Sequence, residues 1–432
     1  MKKAQKPGAG GRRNTPPSAS MPTGNLAPRD LEKLGEELAA YHAEFAYLFK
    51  RREQRECAEF FLRCQLSDLE RKTVEPMVLA SKGRDPNAVR SLQQFLGEGR
   101  WDDAAILGRR EELVAADIGV PDGVIICDGS SFPKKGDHSV GVARQYCGAL
   151  GKIANCQQGV FTVYATSRGY TFVDRRLYMP EHWFCQDYAD KRKRGGVPED
   201  LCFKTEPQLA VEMLRGIVER QALEFQWVTA DEHYGMNPDF LDSVAELGKY
   251  YFVEVPVSTV VWVGKVKAVA AGKGKMGRPR SGPTVAKGTP QPQQVRLIAD
   301  QLPARAWQRY QIKEGAKGPI EADFAFVRAT SKRGRRPGQQ VWVVFRRGLG
   351  EGAETKVYLS NAPASCAKRK LVEMSGLRWP VETALEEGKG EVGMDHYETR
   401  SWVGWHHQMT LSFLAHHFLL RLRLKLKKRV LL

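Results

Sequence analysis

The chain has 432 residues, 42% of them hydrophobic, which is enough for a sizeable core divided among two or three domains. Its 67 Lys and Arg outweigh 50 Asp and Glu, a formal charge of +17 with a pI near 9.5, and such a surplus favours a polyanionic partner, most often nucleic acid. No apolar run approaches the roughly 18 residues that span a bilayer, and the eight cysteines show neither C-x-x-C pairs nor zinc spacing, which argues against a helical membrane span and a zinc module.

The opening Met1-Lys-Lys-Ala-Gln-Lys-Pro is basic but has no apolar stretch of a secretory signal, so a cytoplasmic, nucleoid-associated protein is expected. Residues 1–28 are rich in Gly, Pro, Ser and cations and read as a disordered basic arm. From 29 to 115 the texture is helical. Leu31, Leu34, Leu38 and Tyr41 recur at helical spacing, Phe45, Leu48 and Phe49 continue the stripe, and Leu92, Phe95 and Leu96 mark a later helix. This stretch is expected to be a helical, DNA-binding domain.

Strand patterns begin with Val124-Ile-Ile-Cys127 and recur at 159–165 and 170–178, with a glycine-bearing hairpin or loop at 139–153. An amphipathic helix is expected at 207–223, a short apolar run ending on Asp at 225–231, a helix at 238–247 and a strand at 250–255. Strands alternating with helices make a mixed α/β sheet. Residues 264–294 break the pattern with Gly, Pro and cations and no acid. A β-leaning block follows at 295–298, 322–327 and 340–346, so 257–355 reads as a β-rich basic insertion within a core formed by 116–256 and 356–400. Helices are expected at 365–376 and 380–391. A last helix, 405–417, runs into a basic tail at 421–429, within a C-terminal segment of 401–432.

Two of the apolar runs end on a carboxylate with small residues beside it: Asp128 before Gly-Ser-Ser, and Asp231 after Thr-Ala. Alone, each is as well explained by a turn that uses an Asx side chain. On neighbouring strands they would meet at one rim of the sheet. Paired Mg²⁺ ions about 3.5–4 Å apart activate a hydroxyl and stabilise the leaving oxygen in phosphodiester displacement, and carboxylate oxygens suit that hard ion. A third acid would come from the helix at 380–391, where Glu382 and Glu386, four apart, share a face.

Arg378-Trp-Pro-Val-Glu382-Thr-Ala-Leu-Glu-Glu-Gly-Lys389 resembles the Tyr–Arg–Glu–Lys signature of bacterial insertion-sequence DDE transposases, with Arg378, Glu382 and Lys389 matching in type and spacing. The tyrosine position holds Ser375. The blocks around Asp128 and Asp231, and Gly390 to Trp402, are also similar to that family, in the same order. The resemblance implies an α/β, RNase H-like catalytic core with a β-rich insertion domain between the second Asp and the Glu, plus an α-helical N-terminal domain. It implies Asp128, Asp231 and Glu382 as catalytic metal ligands for two Mg²⁺ ions, with Mn²⁺ as a substitute. Arg378 and Lys389 would hold the phosphates of the transposon end, as cations suited to that task. The partners implied are double-stranded DNA at the terminal inverted repeats and target, and a second copy of the chain when assembled on DNA. The implied reaction is cut-and-paste cleavage and strand transfer, with a hairpin intermediate in some relatives. A domesticated DNA-binding relative and a structure-selective RNase H-like nuclease stay open as alternatives.

The remaining basic elements are candidate DNA contacts. Lys134 and Lys135 form a basic loop after Asp128, and Arg278-Pro-Arg280 resembles the core of an AT-hook, with a looser copy at Arg333 to Pro337. The tail at 421–429 alternates cations with Leu and is expected to meet the phosphate backbone. Glu386 and Glu387 read as surface charges, and the His406-His407 and His416-His417 pairs as packing or surface residues. Trp262, Trp307 and Trp342 are candidates for base stacking, with core packing the commoner role.

Overall fold

The computed structural model describes residues 28–266, 268–269, 284–315, 318–334, 336–350 and 352–430. The basic arm up to Leu26-Ala27 and the Arg278-Pro-Arg280 motif lie outside them. Helices come first: α1 (Pro28–Ala46), α2 (Arg52–Gln65), α3 (Val74–Lys82), α4 (Pro86–Gly97) and α5 (Asp103–Ile118). Their starts follow from local chemistry. Asp85 accepts from the Asn87 and Ala88 N–H groups with Pro86 at the first helical position, and Asp102 accepts from the Ala105 N–H.

The strands β1 (Val124–Pro133), β2 (Ala143–Cys147), β3 (Lys152–Thr166) and β4 (Gly169–Tyr178) follow, then α6 (Ala189–Arg194) and α7 (Glu206–Arg220). Next come β5 (Trp227–Ala230), α8 (Glu232–Gly235), α9 (Pro238–Glu246), β6 (Tyr250–Val255) and β7 (Val260–Val263). Short pieces β8 (Ala268–Val269), β9 (Thr284–Val285) and β10 (Gln293–Gln294) lead to α10 (Val295–Gln301), β11 (Gln308–Gly315), β12 (Gly318–Arg333), β13 (Arg336–Arg347) and β14 (Thr355–Ser360). The chain closes with α11 (Lys368–Ser375), α12 (Trp379–Gly390) and the long α13 (Trp402–Val430).

The result is a mixed α/β fold around one large sheet, ordered β10-β7-β12-β13-β14-β6-β5-β1-β3-β2, with β11 on β12 and β4 on β3. β1 pairs antiparallel with β3 and parallel with β5, and β5 pairs parallel with β6. The described strands of 257–355 join through β13 and β14 onto β6, so the β-rich stretch extends the central sheet; among the described residues β8 and β9 pair apart from it. One part of that stretch departs from expectation: Val295 to Ile298, read as β-leaning, lies in helix α10. A short apolar run has no readable period, and Val295 and Ile298, three apart, are both buried on one face of the helix.

Because β1 is covered on both faces, it reads as an unbroken apolar run rather than an alternating one. Ile125 and Cys127 pack with α7 and α9 residues such as Leu214 and Phe240. Val124 and Ile126 pack on the other side with residues of α11 to α13, including Leu371, Val381 and Phe413. The N-terminal helices form a third cluster that takes in Leu411, Leu414 and Phe418 of α13. α13 is thus shared between the sheet and the helical region. Among the described residues no helix is long and apolar enough to cross a membrane.

Gly235, the last residue of α8, passes so close to β6 that an added Cβ would lie 2.0 Å from the Glu254 carbonyl oxygen. The obstacle is backbone and cannot swing aside. Gly235→Ala should lower the midpoint of thermal unfolding, at a cost of about 1–3 kcal/mol for forced repacking; a calorimetric scan of the purified variant measures it.

Candidate active site

The parallel pairing of β1 and β5 ends with Cys127 opposite Ala230. The next residue on each chain is an aspartate, so Asp128 and Asp231 leave neighbouring strands side by side, where strand spacing is about 4.8 Å. Asp128 continues β1 and accepts from the Gly129 N–H at 2.8 Å. Asp231 terminates β5 and caps α8, its Oδ1 accepting from the His233 N–H at 3.0 Å and the Tyr234 N–H at 3.4 Å. The turn role foreseen for such an aspartate is real here, and it leaves the other carboxylate oxygen available.

Glu382 sits in the first turn of α12, which packs on the same side of the sheet that Asp128 faces. Its carboxylate is largely exposed and pairs with Arg378 at 3.2 Å. Arg378 also lies 3.7 Å from Glu254 on β6, which in turn holds Lys356 at 2.9 Å. A cavity of about 220 Å³ opens between these groups, lined by Lys313, Arg346, Lys356, Arg378, Glu254 and Glu382. Burial, followed by the neighbouring Asp231 carboxylate, pushes Asp128 up to about 7, with Arg378 and the Gly129 N–H pulling the other way and Glu382 adding to the rise. Burial works against the charge of Arg378, but Asp128, Glu382, Asp231 and Glu254 outweigh it and hold the guanidinium above its ordinary value. The acids and Arg378 therefore form one electrostatic unit.

That donor set fits a hard divalent cation: two adjacent carboxylates repel each other in a confined place, and a cation relieves the repulsion. The third acid stands apart from the pair. Among the described residues, no three His, Cys, Asp or Glu side chains stand close enough together to hold an ion; Glu382 is engaged with Arg378 instead.

The other sequence candidates fall in distinct places. Lys389 is half-buried, lies 5.0 Å above the Phe132 ring and donates to the Ser131 carbonyl at 3.1 Å, and burial lowers its pKa. Lys134 is turned inward onto the Tyr397 ring and donates to the Tyr397 carbonyl at 3.1 Å; burial brings it down to about 8. Lys135 is exposed. Ser375 is buried and donates to the Val372 carbonyl of its own helix at 2.7 Å. Arg333, in the looser basic motif, is paired bidentately with Asp242. Trp262 and Trp342 are buried, and Arg347 covers Trp307. In the C-terminal tail, Arg421 pairs with Asp117, Arg423 with Glu387 and Lys425 with Glu37, so these cations serve α13 packing rather than standing free.

Glu387 corrects a reading. Expected as a surface charge, it is largely buried and hydrogen-bonded by Tyr170 at 2.9 Å, His416 at 3.2 Å and Arg423 at 2.9 Å. The partners come from β4 and α13, far away in sequence, so no local pattern announces them. Glu206 was equally silent. It starts α7 after a Thr205 capping box, and its Oε2 lies 2.8 Å from where a Cβ on Gly129 would stand. Burial raises its pKa, with His233 opposing and Asp231 adding. A side chain at position 129 would meet both that carboxyl and the Gln158 amide.

The sequence model of the DDE superfamily endonucleases matches residues 44–319, and the chain belongs to that family. It is 29% identical over 334 residues to a probable transposase for insertion sequence element IS701 from Microchaete diplosiphon, an overlap of 77% of this chain and 73% of the relative. Among solved structures, the NurA nuclease from Sulfolobus solfataricus is similar with a TM-score of 0.26 and 10% identity, over 66% of this chain and 86% of that one, too loose an overlay to bear on the fold.

Burial works against the Glu387 charge, but hydrogen bonds from His416 and Arg423 outweigh it and hold the carboxyl at about 2. A depressed carboxylate pKa stabilises the fold above its unfolded value near 4.5, and that contribution is lost as pH falls towards 2. Glu387→Gln should therefore cost about 3 kcal/mol at pH 7, with the deficit shrinking below pH 4.5; denaturant titrations across that range measure it.

Proposed function

We propose that this chain is a DDE transposase that binds the terminal inverted repeats of its element and carries out metal-dependent strand cleavage and strand transfer on double-stranded DNA. The single observation that carries the reading is the placement of Asp128 within β1 and Asp231 just after β5, side by side where the parallel β1–β5 pairing stops, with Arg378 and Glu382 in the electrostatic surroundings of Asp128 from the start of α12. The order β4-β3-β1-β5-β6, antiparallel on one side of β1 and parallel on the other, supports an RNase H-like catalytic core. The helical region 29–115 and the basic stretch 257–355 would then serve as DNA-binding parts around that core.

Asp128 and Asp231 would hold the divalent cation, with Glu382 swinging from Arg378 to complete the set. When bound, Mg²⁺, or Mn²⁺ in its place, activates the attacking hydroxyl and stabilises the leaving oxygen. The chain's own groups do the positioning. Arg378, released from Glu382, offers a planar fork to the non-bridging oxygens of the scissile phosphate. Lys389, half-desolvated beside Ser131, adds a point charge one end of the helix away. Strand transfer can proceed directly or through a hairpin on the transposon end, and the protein would act as a homodimer assembled on DNA in the cytoplasm.

Asp128→Asn should lower Mg²⁺-dependent cleavage of end-bearing DNA by more than about a thousand-fold, a loss of roughly 4 kcal/mol of transition-state stabilisation, while binding of the same DNA persists. Glu382→Gln should behave likewise and Glu386→Gln should retain activity. Wild-type rates in Asp128→Asn would refute the ligand assignment, and a dead Glu386→Gln beside an active Glu382→Gln would move the third ligand by one turn.

A further inference from the structure

A second basic feature lies away from the acids. A cleft of about 720 Å³ runs between the N-terminal helices and the loop 393–401, with α6 and the turn at 195–196 forming one wall. Its cationic rim is Lys191, Lys193, Arg194 and Arg400. Lys191 is paired with Asp137 at 2.7 Å. Lys193, Arg194 and Arg400 are exposed, and among the described residues none of the three is paired with a carboxylate. Of the acids on the lining, Glu398 is already paired with Arg71 at 2.8 Å, which leaves Glu98 against three unmatched cations.

This rim is held in place by the backbone. The Trp402 N–H donates to the Gly195 carbonyl at 2.8 Å, and the Val140 N–H donates to the Arg400 carbonyl at 3.0 Å. The Trp183 indole donates to the Val142 carbonyl at 2.9 Å, and Arg192 is turned inward onto the Trp183 and Cys185 carbonyls. Arg194, Arg400 and their neighbours therefore project from a knitted backbone wall, so the backbone that carries them needs no further ordering when they meet a ligand. The loop 393–401 follows α12 directly, which places the cleft beyond the Lys389 end of the helix that carries Glu382. Along that helix Glu382 and Lys389 are about 10 Å apart.

We propose that this cleft grips the phosphodiester backbone of duplex DNA flanking the scissile phosphate, with Lys193, Arg194 and Arg400 as phosphate contacts. It rests on the transposase reading above and adds to it a gripping surface separate from the acids. Unmatched cations on the rim of a cleft suit a regular array of phosphates, and they read backbone rather than sequence.

The test is a salt titration of binding to a labelled duplex of arbitrary sequence, without divalent cation. It compares wild type, Lys193→Ala/Arg194→Ala/Arg400→Ala, and a control with three exposed cations removed elsewhere, Arg84→Ala/Lys152→Ala/Arg168→Ala. The slope of log affinity against log salt should fall by about one for each lost phosphate contact, hence by about three in the cleft variant, with little change in the control. Unchanged thermal unfolding verifies that both variants fold. A cleft variant with the wild-type slope, or with the same loss as the control, overturns the assignment while leaving the transposase reading intact. Wild type that binds no duplex at all overturns the transposase reading and this inference with it.

Discussion

The parallel pairing of β1 with β5 is the constraint on which the rest depends. Its register places Cys127 against Ala230 and so delivers the two aspartates that follow to adjacent positions where this pairing stops. A slip of one residue would turn one of them to the opposite face. The register is defended from both sides, because Ile125 and Cys127 are packed beneath α7 and α9 while Val124 and Ile126 are packed beneath α11 to α13. Holding two carboxylates together in a half-desolvated place costs folding free energy, visible in the rise of Asp128 to about 7. The protein offsets it in part with Arg378, which faces Asp128, Asp231, Glu254 and Glu382 at once.

α12 must sit correctly for that offset to work, and its position is set from behind. Glu387, one turn beyond Glu382, is clamped by Tyr170 of β4 and by His416 and Arg423 of α13. α13 also carries His417, bonded to Tyr41 and Asp117, and His407, bonded to the Leu96 carbonyl. The same helix therefore ties the N-terminal helices to the sheet and to the helix bearing Glu382.

Much of this was legible in the chain because it is local. Val-Ile-Ile-Cys-Asp and Trp-Val-Thr-Ala-Asp mark buried strands that carry an acid, although the first strand runs on past Asp128 to Pro133, and Arg378 to Lys389 carries its chemistry within a few helical turns. What could not be read is non-local or lacks a period. Val295 to Ile298 is too short to distinguish a strand from a helix. Glu387 looks like any helix-surface acid until β4 and α13 are seen against it, and Lys134 looks like a free cation until Tyr397, 263 positions away, is found beneath it. Glu206 and Glu254 gave no signal because neither lies in a motif; the packing of α7 brings Glu206 to Gly129, and β6 brings Glu254 to Arg378. The continuity of the 257–355 strands with the central sheet was hidden for the same reason, since pairing partners are set by topology rather than composition.

The most direct measurement is mapping of the cation site with Fe²⁺ in place of Mg²⁺. In the presence of ascorbate and peroxide, bound Fe²⁺ cuts the peptide backbone beside its ligands, and the fragments can be placed by mass spectrometry. With end-bearing DNA bound, cuts are expected next to Asp128, Asp231 and Glu382, and they should vanish in Asp128→Asn. Cuts that map elsewhere, or that persist unchanged in Asp128→Asn, would contradict the convergence of these three acids on one cation site.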